Sequence, residues 1–277
     1  MAHSLRAASG QWDVLELLSL SGDAPAAQTF LAALAAVGMP PQVALFARCP
    51  FAELPGSYEQ YLRGRGSNLR AQLRSKEKKL RRDCPATQFG RVHTEAELDP
   101  AFDALVRLHQ SRWTARGELG AFGNPAFVEF HRACARDALR RGKLRLYHLR
   151  VADEYAAAFY CFREGARLFY YNAGFDERWA KYSVGMLILG HAVEQSIAEG
   201  VTELDFLQGE EGYKEHWMTG CREDVRVRAA APHPRGRFAR WHLQSADRAR
   251  DVWRGHVPDR IRLAVKQRLW GITGGRK

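Results

Sequence analysis

Short apolar runs of period two alternate along the chain with longer runs of period 3.6, the patterns of strands and helices respectively. In the first ninety residues the pattern predicts two strands and, between them, a helix rich in alanine and leucine. These strands occupy residues 12–18 and 43–47, and the helix occupies 26–37. Ser57 is a good helix N-cap, and the basic residues after it predict a helix over 58–82, weakened near its start by two glycines.

The order of predicted elements from residue 91 onwards is more informative than any one of them. Two helices come first, followed by a meander of three strands, a helix, a strand, a short helix and a last strand. Their predicted bounds are 100–116, 125–141, 143–151, 155–163, 167–174, 184–199, 202–207, 212–218 and 225–229. The pair Asn124-Pro125 marks a helix start, because an N-cap precedes proline at the first helical position. This order carries most of the fold prediction, an α/β protein.

The formal charge of +11 is concentrated in two segments of the 277-residue chain. Residues 63–83 hold nine basic and two acidic side chains, and residues 226–277 hold fourteen basic and three acidic ones, so the remaining chain is acidic. A protein that binds nucleic acid with its whole surface would more often distribute positive charge over the fold. The pattern therefore indicates an acidic body with two basic attachments.

Several classes of protein and of site are disfavoured by what the sequence lacks. No apolar run approaches the roughly 18 residues of a membrane span, and Asp13 and Glu16 interrupt the position of a signal-peptide core. The five cysteines are scattered and the ten histidines do not cluster at metal spacing, so neither a disulfide framework nor a metal site is expected. Phosphate-loop, dinucleotide-binding, serine-hydrolase and zinc-protease motifs are missing. We therefore expect a cytoplasmic protein.

The first candidate site is the segment Trp179–Met186, which leads from a predicted strand into a predicted helix. Ser183 is a good N-cap, and Gly185 would let a ligand approach the first turn closely. The free N–H groups and the positive dipole end of that turn favour a phosphate or pyrophosphate. The alternative is an ordinary capped helix that packs on the sheet through an apolar stripe beginning at Met186.

The second candidate site is the segment Leu204–Trp217, in which a strand ends, a glycine-containing turn follows and a short helix begins. Functional residues collect at such carboxyl ends of strands. Lys214 could bind an anion. Three residues are candidate proton acceptors: Glu210, Glu211 and His216. Alternatively, Lys214 pairs with one of these acids on a solvated face, and Trp217 belongs to the core.

Four features of the chain together resemble the GNAT acyltransferase superfamily. They are the element order of residues 91–230, the loop Tyr182–Met186 before a helix, the strand Glu203–Phe206, and the segment Gly209–Trp217, which reads Gly-Glu-Glu-Gly-Tyr-Lys-Glu-His-Trp and is the most specific. More narrowly, the chain resembles the CelD/BioF-type branch of that superfamily, which is related to the FemAB aminoacyl transferases. Leu54–Tyr61, followed by an Arg/Lys-rich helix, also matches that branch.

The resemblance implies a mixed, mostly antiparallel sheet flanked by helices. Residues 1–90 are expected to form a partial N-terminal GNAT-like lobe with the basic helix, and residues 91–230 the acyltransferase domain. Residues 231–277 are expected to form a basic, amphipathic, helical tail.

The activity that the resemblance implies is transfer of an acyl group, acetyl in the simplest case, from acyl-CoA to an amine or hydroxyl. The acceptor would be a small molecule or a precursor of a cell-surface polysaccharide. The residues expected to hold the CoA pyrophosphate are Tyr182, Ser183, Val184, Gly185 and Met186. Those expected to contact the acceptor are Asp205, Gln208, Tyr213, Lys214 and Trp217. Those expected to act in catalysis are Lys214, Tyr213, Glu210, Glu211 and His216.

Two other functions stay open at this stage. Of the usual GNAT phosphate loop, Q/R-x-x-G-x-G/A, only Gly185 is present. Aminoacyl-tRNA, the donor of FemAB proteins, is therefore a second donor, and the basic helix after Ser57 is the feature that would bind it. The third function is a binding or scaffold protein that has kept the fold without the chemistry.

The tail has its own pattern, with Ile261, Val265 and Leu269 on one helix face among many arginines. A basic amphipathic helix of this kind is expected to lie on a membrane surface or to dock on the acidic body of the protein. The first arrangement would place the protein peripherally at the inner face of the membrane.

Overall fold

The computed structural model describes residues 1–209 and 211–256. Its helices and strands are numbered separately, each in chain order. The α-helices are α1 (Ala2–Ala7), α2 (Pro25–Ala36), α3 (Tyr58–Arg63), α4 (Ser67–Asp83), α5 (Glu95–Ala115), α6 (Pro125–Arg140), α7 (Val184–Ala198) and α8 (Pro234–His256). The strands are β1 (Val14–Ser21), β2 (Gln42–Glu53), β3 (Thr87–Arg91), β4 (Leu144–Val151), β5 (Glu154–Glu164), β6 (Arg167–Phe175), β7 (Glu203–Asp205) and β8 (Gly220–Ala230).

The described residues form two compact units, one of residues 48–222 and the other of residues 1–47 with 223–256. This division differs from the boundaries near 90 and 230 expected from the sequence. Its cause is strand pairing, because β1 near the N-terminus pairs antiparallel with β8 near the end of the described chain. Their packing with α2 buries Leu34, Met39 and Ala229 in a small core.

The unit 48–222 contains a sheet in the order β2-β7-β6-β5-β4-β3. Neighbouring strands are antiparallel except β6 and β7, which are parallel. Apolar residues of α4 and α7 cover one face of the sheet, and those of α5 and α6 cover the other. The predicted α/β class, a mixed and mostly antiparallel sheet flanked by helices, is therefore confirmed.

The end of β6 diverges from β7 and so creates the space in which the site lies. The two strands pair only over Arg167–Phe169 and Glu203–Asp205, whereas β6 continues to Phe175. One residue of β6 also bulges, since Tyr160 pairs with Asn172 while the next residue of β5 pairs with Tyr170. The side of β6 that faced β7 is consequently open over residues 170–175.

A glycine fixes the distance between α5 and β6. A Cβ atom at Gly174 would lie 2.5 Å from the backbone nitrogen of His109 and 2.7 Å from the Cβ atom of Leu108. Contacts this short do not occur in real structures, so only glycine permits this approach of strand and helix. The last turns of α5 thereby lie beside the end of β6.

Local signals predicted several bounds closely and others poorly. The predicted helix over 58–82 is wrong, because the chain breaks at Gly64–Gly66 into α3 and α4. β7 is shorter than predicted, and the pattern did not reveal α1 or β3, whereas α8 lies within the segment 231–277 that was expected to be helical. Among residues 1–209 and 211–256, no helix is long and apolar enough to cross a membrane. The predicted amphipathic segment around 261–269 lies outside the described residues.

Candidate active site

A cavity of about 700 Å³ lies in the unit 48–222 and collects parts of both segments that the sequence singled out. One wall is the start of α4, and another is the open end of β6. The remaining walls are the N-terminus of α7 and the 3₁₀ turn Gly212–His216 with the tryptophan after it. The two sequence-predicted segments, which are separated by residues 187–203, therefore open into the same space.

The N-terminus of α7 presents unpaired donors at the cavity wall. The N–H groups of Met186 and Leu187 donate to the Ser183 carbonyl, at 2.9 and 3.1 Å. No described residue accepts from the N–H groups of Val184 or Gly185, as is usual in the first turn of a helix. These donors and the positive end of the helix dipole favour an anion here.

Ser183 differs from the N-cap expected from the sequence. It precedes the helix, but its backbone is in the left-handed region, with φ 56° and ψ 45°, and its side chain caps no N–H group of α7. Non-glycine residues seldom adopt this conformation, which costs of order 1 kcal/mol. Ser183 therefore acts through its backbone, which turns the chain sharply into the helix.

Gly185 is explained by packing within the protein. A Cβ atom at this position would lie 2.9 Å from Cδ1 of the Phe175 ring. From the sequence, a ligand was expected to approach Gly185 closely. In the structure the side chain of Phe175, at the end of β6, occupies that space. Gly185 contributes its N–H group to the site, and its missing side chain accommodates Phe175.

Tyr182 belongs to the core and does not line the cavity. Its side chain is 2% exposed, and its hydroxyl donates to Oδ2 of Asp83, 3.2 Å away at the end of α4. Of the five residues predicted to hold CoA phosphates, the structure therefore places Ser183, Val184, Gly185 and Met186 at the cavity wall and leaves Tyr182 behind it.

Lys214 is buried and stabilises the turn after β7 through hydrogen bonds to its backbone carbonyls. It is 3% exposed, and its Nζ donates to the carbonyl oxygens of Phe206 and Gly209 at 3.1 and 3.3 Å. Nζ also lies 3.5 Å from the Gln208 carbonyl and 2.7 Å from Oε2 of Glu211. The ion pair with an acid of the turn, which the sequence offered as an alternative, is present, but Lys214 is buried and does not lie on the solvated face which that alternative expected. Lys214 does not line the cavity.

Asp205 and Gln208 hold the same turn and also lie outside the cavity wall. Oδ1 of Asp205 accepts from the N–H group of Leu207 at 2.8 Å, which stabilises the left-handed backbone of Leu207 at φ 53°. Asp205 also faces the guanidinium of Arg222 at 3.5 Å. Gln208 is exposed, and its contact with this network is made by its carbonyl. Glu210 lies outside the described residues.

Tyr213, His216 and Trp217 line the cavity, as the sequence interpretation requires for contact with a substrate. The Tyr213 hydroxyl donates to the Tyr170 hydroxyl at 3.2 Å, and burial raises the pKa of Tyr213 to about 12. Trp217 is also a core residue, 2% exposed and stacked on Tyr61. Tyr213 thus stays a neutral hydrogen-bond donor at physiological pH.

Sequence reasoning missed several residues of the cavity wall. Glu215 stands beside His216 as a second acid or base candidate, and Asn68 and Gln72 come from the start of α4. Two guanidinium groups, those of Arg65 and Arg112, also line the cavity. Glu215 lies in the segment Gly209–Trp217 that the sequence singled out, but it was not among the candidate bases. No local motif marks the others, which reach the cavity through the packing of α4, α5 and the turn between α3 and α4.

The described residues contain no group of three or more His, Cys, Asp or Glu side chains that could hold a metal ion. The groups at the cavity wall include helix N–H groups, two guanidinium groups, two phenols, an imidazole and the carboxylates of Glu177 and Glu215. Such a set can bind an anionic or amide-containing ligand, accept a proton and donate a hydrogen bond to a leaving group.

Residues 67–215 match the family described as Acetyltransferase (GNAT) domain, a span of more than half the chain. The chain therefore belongs to this family, and the predicted GNAT membership and transferase activity are confirmed. GNAT enzymes act on small-molecule or polymer acceptors. No curated protein matches the chain in sequence.

Solved structures agree with the family at the level of fold. FemX is 10% identical, with 81% of this chain and 75% of FemX covered, at a TM-score of 0.60. The C-terminal domain (DUF2156) of a protein described as a lysylphosphatidylglycerol synthetase, from Agrobacterium fabrum, is 13% identical, with 87% and 75% covered, at a TM-score of 0.55. A conserved protein of unknown function from Bacteroides thetaiotaomicron is 10% identical, with 82% and 73% covered, also at 0.55. At these identities the likeness shows a shared fold, including the FemAB-related fold of FemX.

Proposed function

We propose that the protein transfers an acyl group, acetyl in the simplest case, from acyl-CoA to an amine or hydroxyl of an acceptor in the same cavity. The observation that carries this proposal is the juxtaposition of the α7 N-terminus with the open end of β6. The first offers donors for a pyrophosphate, and the second offers an unpaired strand edge to which the amides of a pantetheine arm can bond. A precursor of a cell-surface polysaccharide stays the acceptor that the family resemblance suggests.

The residues of the wall divide between the two substrates. The N–H groups of Val184 and Gly185 bind the pyrophosphate, and the strand edge over residues 170–175 orients the pantetheine arm. His216 or Glu215 accepts the proton of the attacking amine or hydroxyl. Tyr213 donates a hydrogen bond to the sulfur of the departing CoA. Because burial holds the pKa of Tyr213 at about 12, CoA departs as a thiolate, which Tyr213 stabilises and which then takes its proton from solvent.

The donor site is tested by placing a charge at the third residue of α7. Met186 is half-buried at the cavity wall, and glutamate and glutamine have about its length. A carboxylate about 6 Å from a phosphate, at an effective dielectric constant of about 40, costs about 1.4 kcal/mol, which corresponds to about tenfold in affinity. Calorimetric titration with acetyl-CoA should therefore show at least tenfold weaker binding to Met186→Glu than to Met186→Gln.

The matched pair separates charge from packing, because both substitutions remove the thioether and only one adds a charge. Equal acetyl-CoA affinity of the two variants would place the phosphates away from α7. No saturable binding of acetyl-CoA to the wild-type protein would contradict the acyl-CoA proposal itself.

A second donor, aminoacyl-tRNA, is favoured by the surface of α4. Arg74 and Lys78 are exposed one turn apart on this helix, whose first residues line the cavity. Phosphate contacts make affinity fall steeply with salt. On this alternative, tRNA binds in a salt-sensitive manner that Arg74→Gln with Lys78→Gln weakens, whereas Arg116→Gln, an exposed charge on α5, leaves it unchanged.

Peripheral contact with an anionic membrane is supported by α8 in the other unit. Exposed apolar side chains lie along this helix at Phe238, Trp241, Val252 and Trp253. Its sequence has six arginines against two aspartates, a combination typical of helices that lie in a bilayer interface. Flotation with vesicles containing phosphatidylglycerol, but not with pure phosphatidylcholine vesicles, is expected, and Trp241→Ser with Trp253→Ser should abolish it.

A further inference from the structure

Arg112 lines the cavity, and no described carboxylate lies within hydrogen-bonding distance of its guanidinium group. It lies in the last turn of α5, and its Cζ is 4.0 Å from the centroid of the Phe175 ring. The side chain is 23% exposed. Because an aromatic face covers one side of the guanidinium, the opportunity for water to solvate the charge is reduced.

The hydrogen-bonding groups of Arg112 are not satisfied within the described protein. Its nearest carboxylate is that of Glu177, whose Oε1 is 3.9 Å from Nε, beyond hydrogen-bonding distance. Glu177 is itself 59% exposed, so it screens the charge weakly. Nε is buried and has no hydrogen-bond partner. Buried donors are paired in the large majority of cases, so an exception calls for an explanation.

Arg65, the other guanidinium of the cavity wall, shows the contrast. Its Nη1 donates to the backbone carbonyls of Trp217 and Met218, so it joins α3 and α4 to the turn after residue 216. The Nε of Arg65 is buried without a partner among the described residues, as that of Arg112 is, so the two residues differ in their terminal nitrogens. Arg112 makes no such structural hydrogen bond. Burial lowers the pKa of Arg112 and the neighbouring Arg116 adds to this effect, while the exposed carboxylate of Glu177, 3.9 Å away, offsets it only in part.

We infer that Arg112 recognises an anionic group, a phosphate or a carboxylate, of a ligand bound in this cavity. A planar guanidinium offers two parallel donors to such a group, and the pairing is strong where water is limited. The candidate ligands follow from the proposed function, and they offer two sources of this anionic group. One is the pyrophosphate of the donor, and the other is an acid group of the acceptor.

The ring of Phe175 packs against both Arg112 and the start of α7. One face of this ring carries the guanidinium, and the ring also contacts Gly185 at the start of α7. Arg112 lines the same cavity as the donors of α7 and as His216 and Glu215, the residues assigned to the proton of the acceptor. An anionic group of either substrate can therefore reach it.

The test uses three variants of the full chain. Arg112→Gln removes the charge, Arg112→Lys keeps the charge without the planar fork, and Arg116→Gln removes an exposed charge four residues away as a control. The first probe is inorganic pyrophosphate, whose binding requires no recognition of CoA. We expect Arg112→Gln to bind it at least tenfold more weakly than the wild type, Arg112→Lys to be intermediate, and Arg116→Gln, whose exposed charge is screened by solvent, to change by less than about threefold.

Two further arms distinguish the sources of the anion. In the first, calorimetry compares CoA with pantetheine, and an affinity loss confined to CoA in Arg112→Gln identifies the donor pyrophosphate. In the second, CoA-saturated protein is titrated with glucosamine 6-phosphate and with glucosamine. A tenfold preference for the phosphorylated amine in the wild type, lost in Arg112→Gln, identifies the acceptor.

Unfolding in urea is measured for each variant, so that a loss of binding is compared only among folded proteins. If Arg112→Gln binds pyrophosphate, CoA and glucosamine 6-phosphate as the wild type does, the inference is wrong and Arg112 serves only to cover Phe175. If the wild type fails to bind CoA but binds pyrophosphate through Arg112, the acyl-CoA proposal fails and the anion site stands.

Discussion

Lys214→Met tests whether Lys214 holds the turn after β7, as its contacts indicate, or contacts the substrate, as its position in the sequence suggests. Methionine is similar in length and removes the ammonium group. The substitution withdraws the donor from the carbonyls of Phe206, Gln208 and Gly209, of which the first is buried. It also breaks the ion pair with Glu211.

The expected change in the free energy of unfolding follows from these contacts. A buried carbonyl that loses its donor costs about 1–3 kcal/mol. The ion pair contributes about 0–1 kcal/mol, since Glu211 is 57% exposed. A methionine is more easily buried than an ammonium, which offsets part of the loss. We therefore expect Lys214→Met to destabilise the protein by about 1–3 kcal/mol, and Glu211→Gln by less than about 1 kcal/mol.

Two measurements check this expectation. Urea unfolding gives the change in free energy, and amide hydrogen exchange locates it. The amides of residues 206–214 should exchange faster in Lys214→Met, whereas those of α5 should keep their protection. A variant with unchanged stability and unchanged exchange in this turn would show that Lys214 does not stabilise the turn. Contact between Lys214 and the substrate would then be the favoured role.

Three further predictions concern pH and packing. Tyr213→Phe should lower the rate of thiol release from acetyl-CoA by about tenfold, and the wild-type rate should show no Tyr213 ionisation below about pH 10, because burial raises the pKa of this phenol to about 12. Burial also lowers the pKa of His191 from 6.5 to about 4, so the neutral folded form loses stability as the pH falls from about 6.5 to 4. Discounted for partial exposure, the loss is about 1–2 kcal/mol, and His191→Gln should remove it in urea titrations at pH 7 and 5. Gly174→Ala should destabilise the protein by at least about 2 kcal/mol through its clash with the backbone of His109, whereas Gly66→Ala, which meets no atom within 4 Å, should change the urea midpoint little.

The elements predicted well are those whose bounds are set by neighbouring residues. Asn124 caps α6 by accepting from the N–H group of Ala126 at 2.9 Å, and Pro125 begins the helix, as the sequence pattern requires. The three-strand meander and α7 were also placed within a few residues. β3 was missed because it is a short, polar strand without a strong apolar period.

The site was only partly predictable, for a physical reason that Gly185, Lys214 and Arg112 illustrate. The sequence offered Gly185 as space for a ligand and Lys214 as a cation for the substrate. In the structure, Phe175 fills the space beside Gly185, and backbone carbonyls accept hydrogen bonds from Lys214. Of the two described arginines at the cavity wall, Arg112 is the one that donates to no backbone carbonyl, and the sequence shows it only as one arginine near a helix end.

Whether a charged group is available to a ligand depends on what the fold has already paired with it. For Lys214 the partners are local, within eight residues, so the turn itself engages the ammonium. For Arg112 the main neighbour is Phe175, 63 positions away, and an aromatic face orients a guanidinium without satisfying its donors. The long-range contact thus leaves the charge oriented and chemically available, which is the condition for binding an anion.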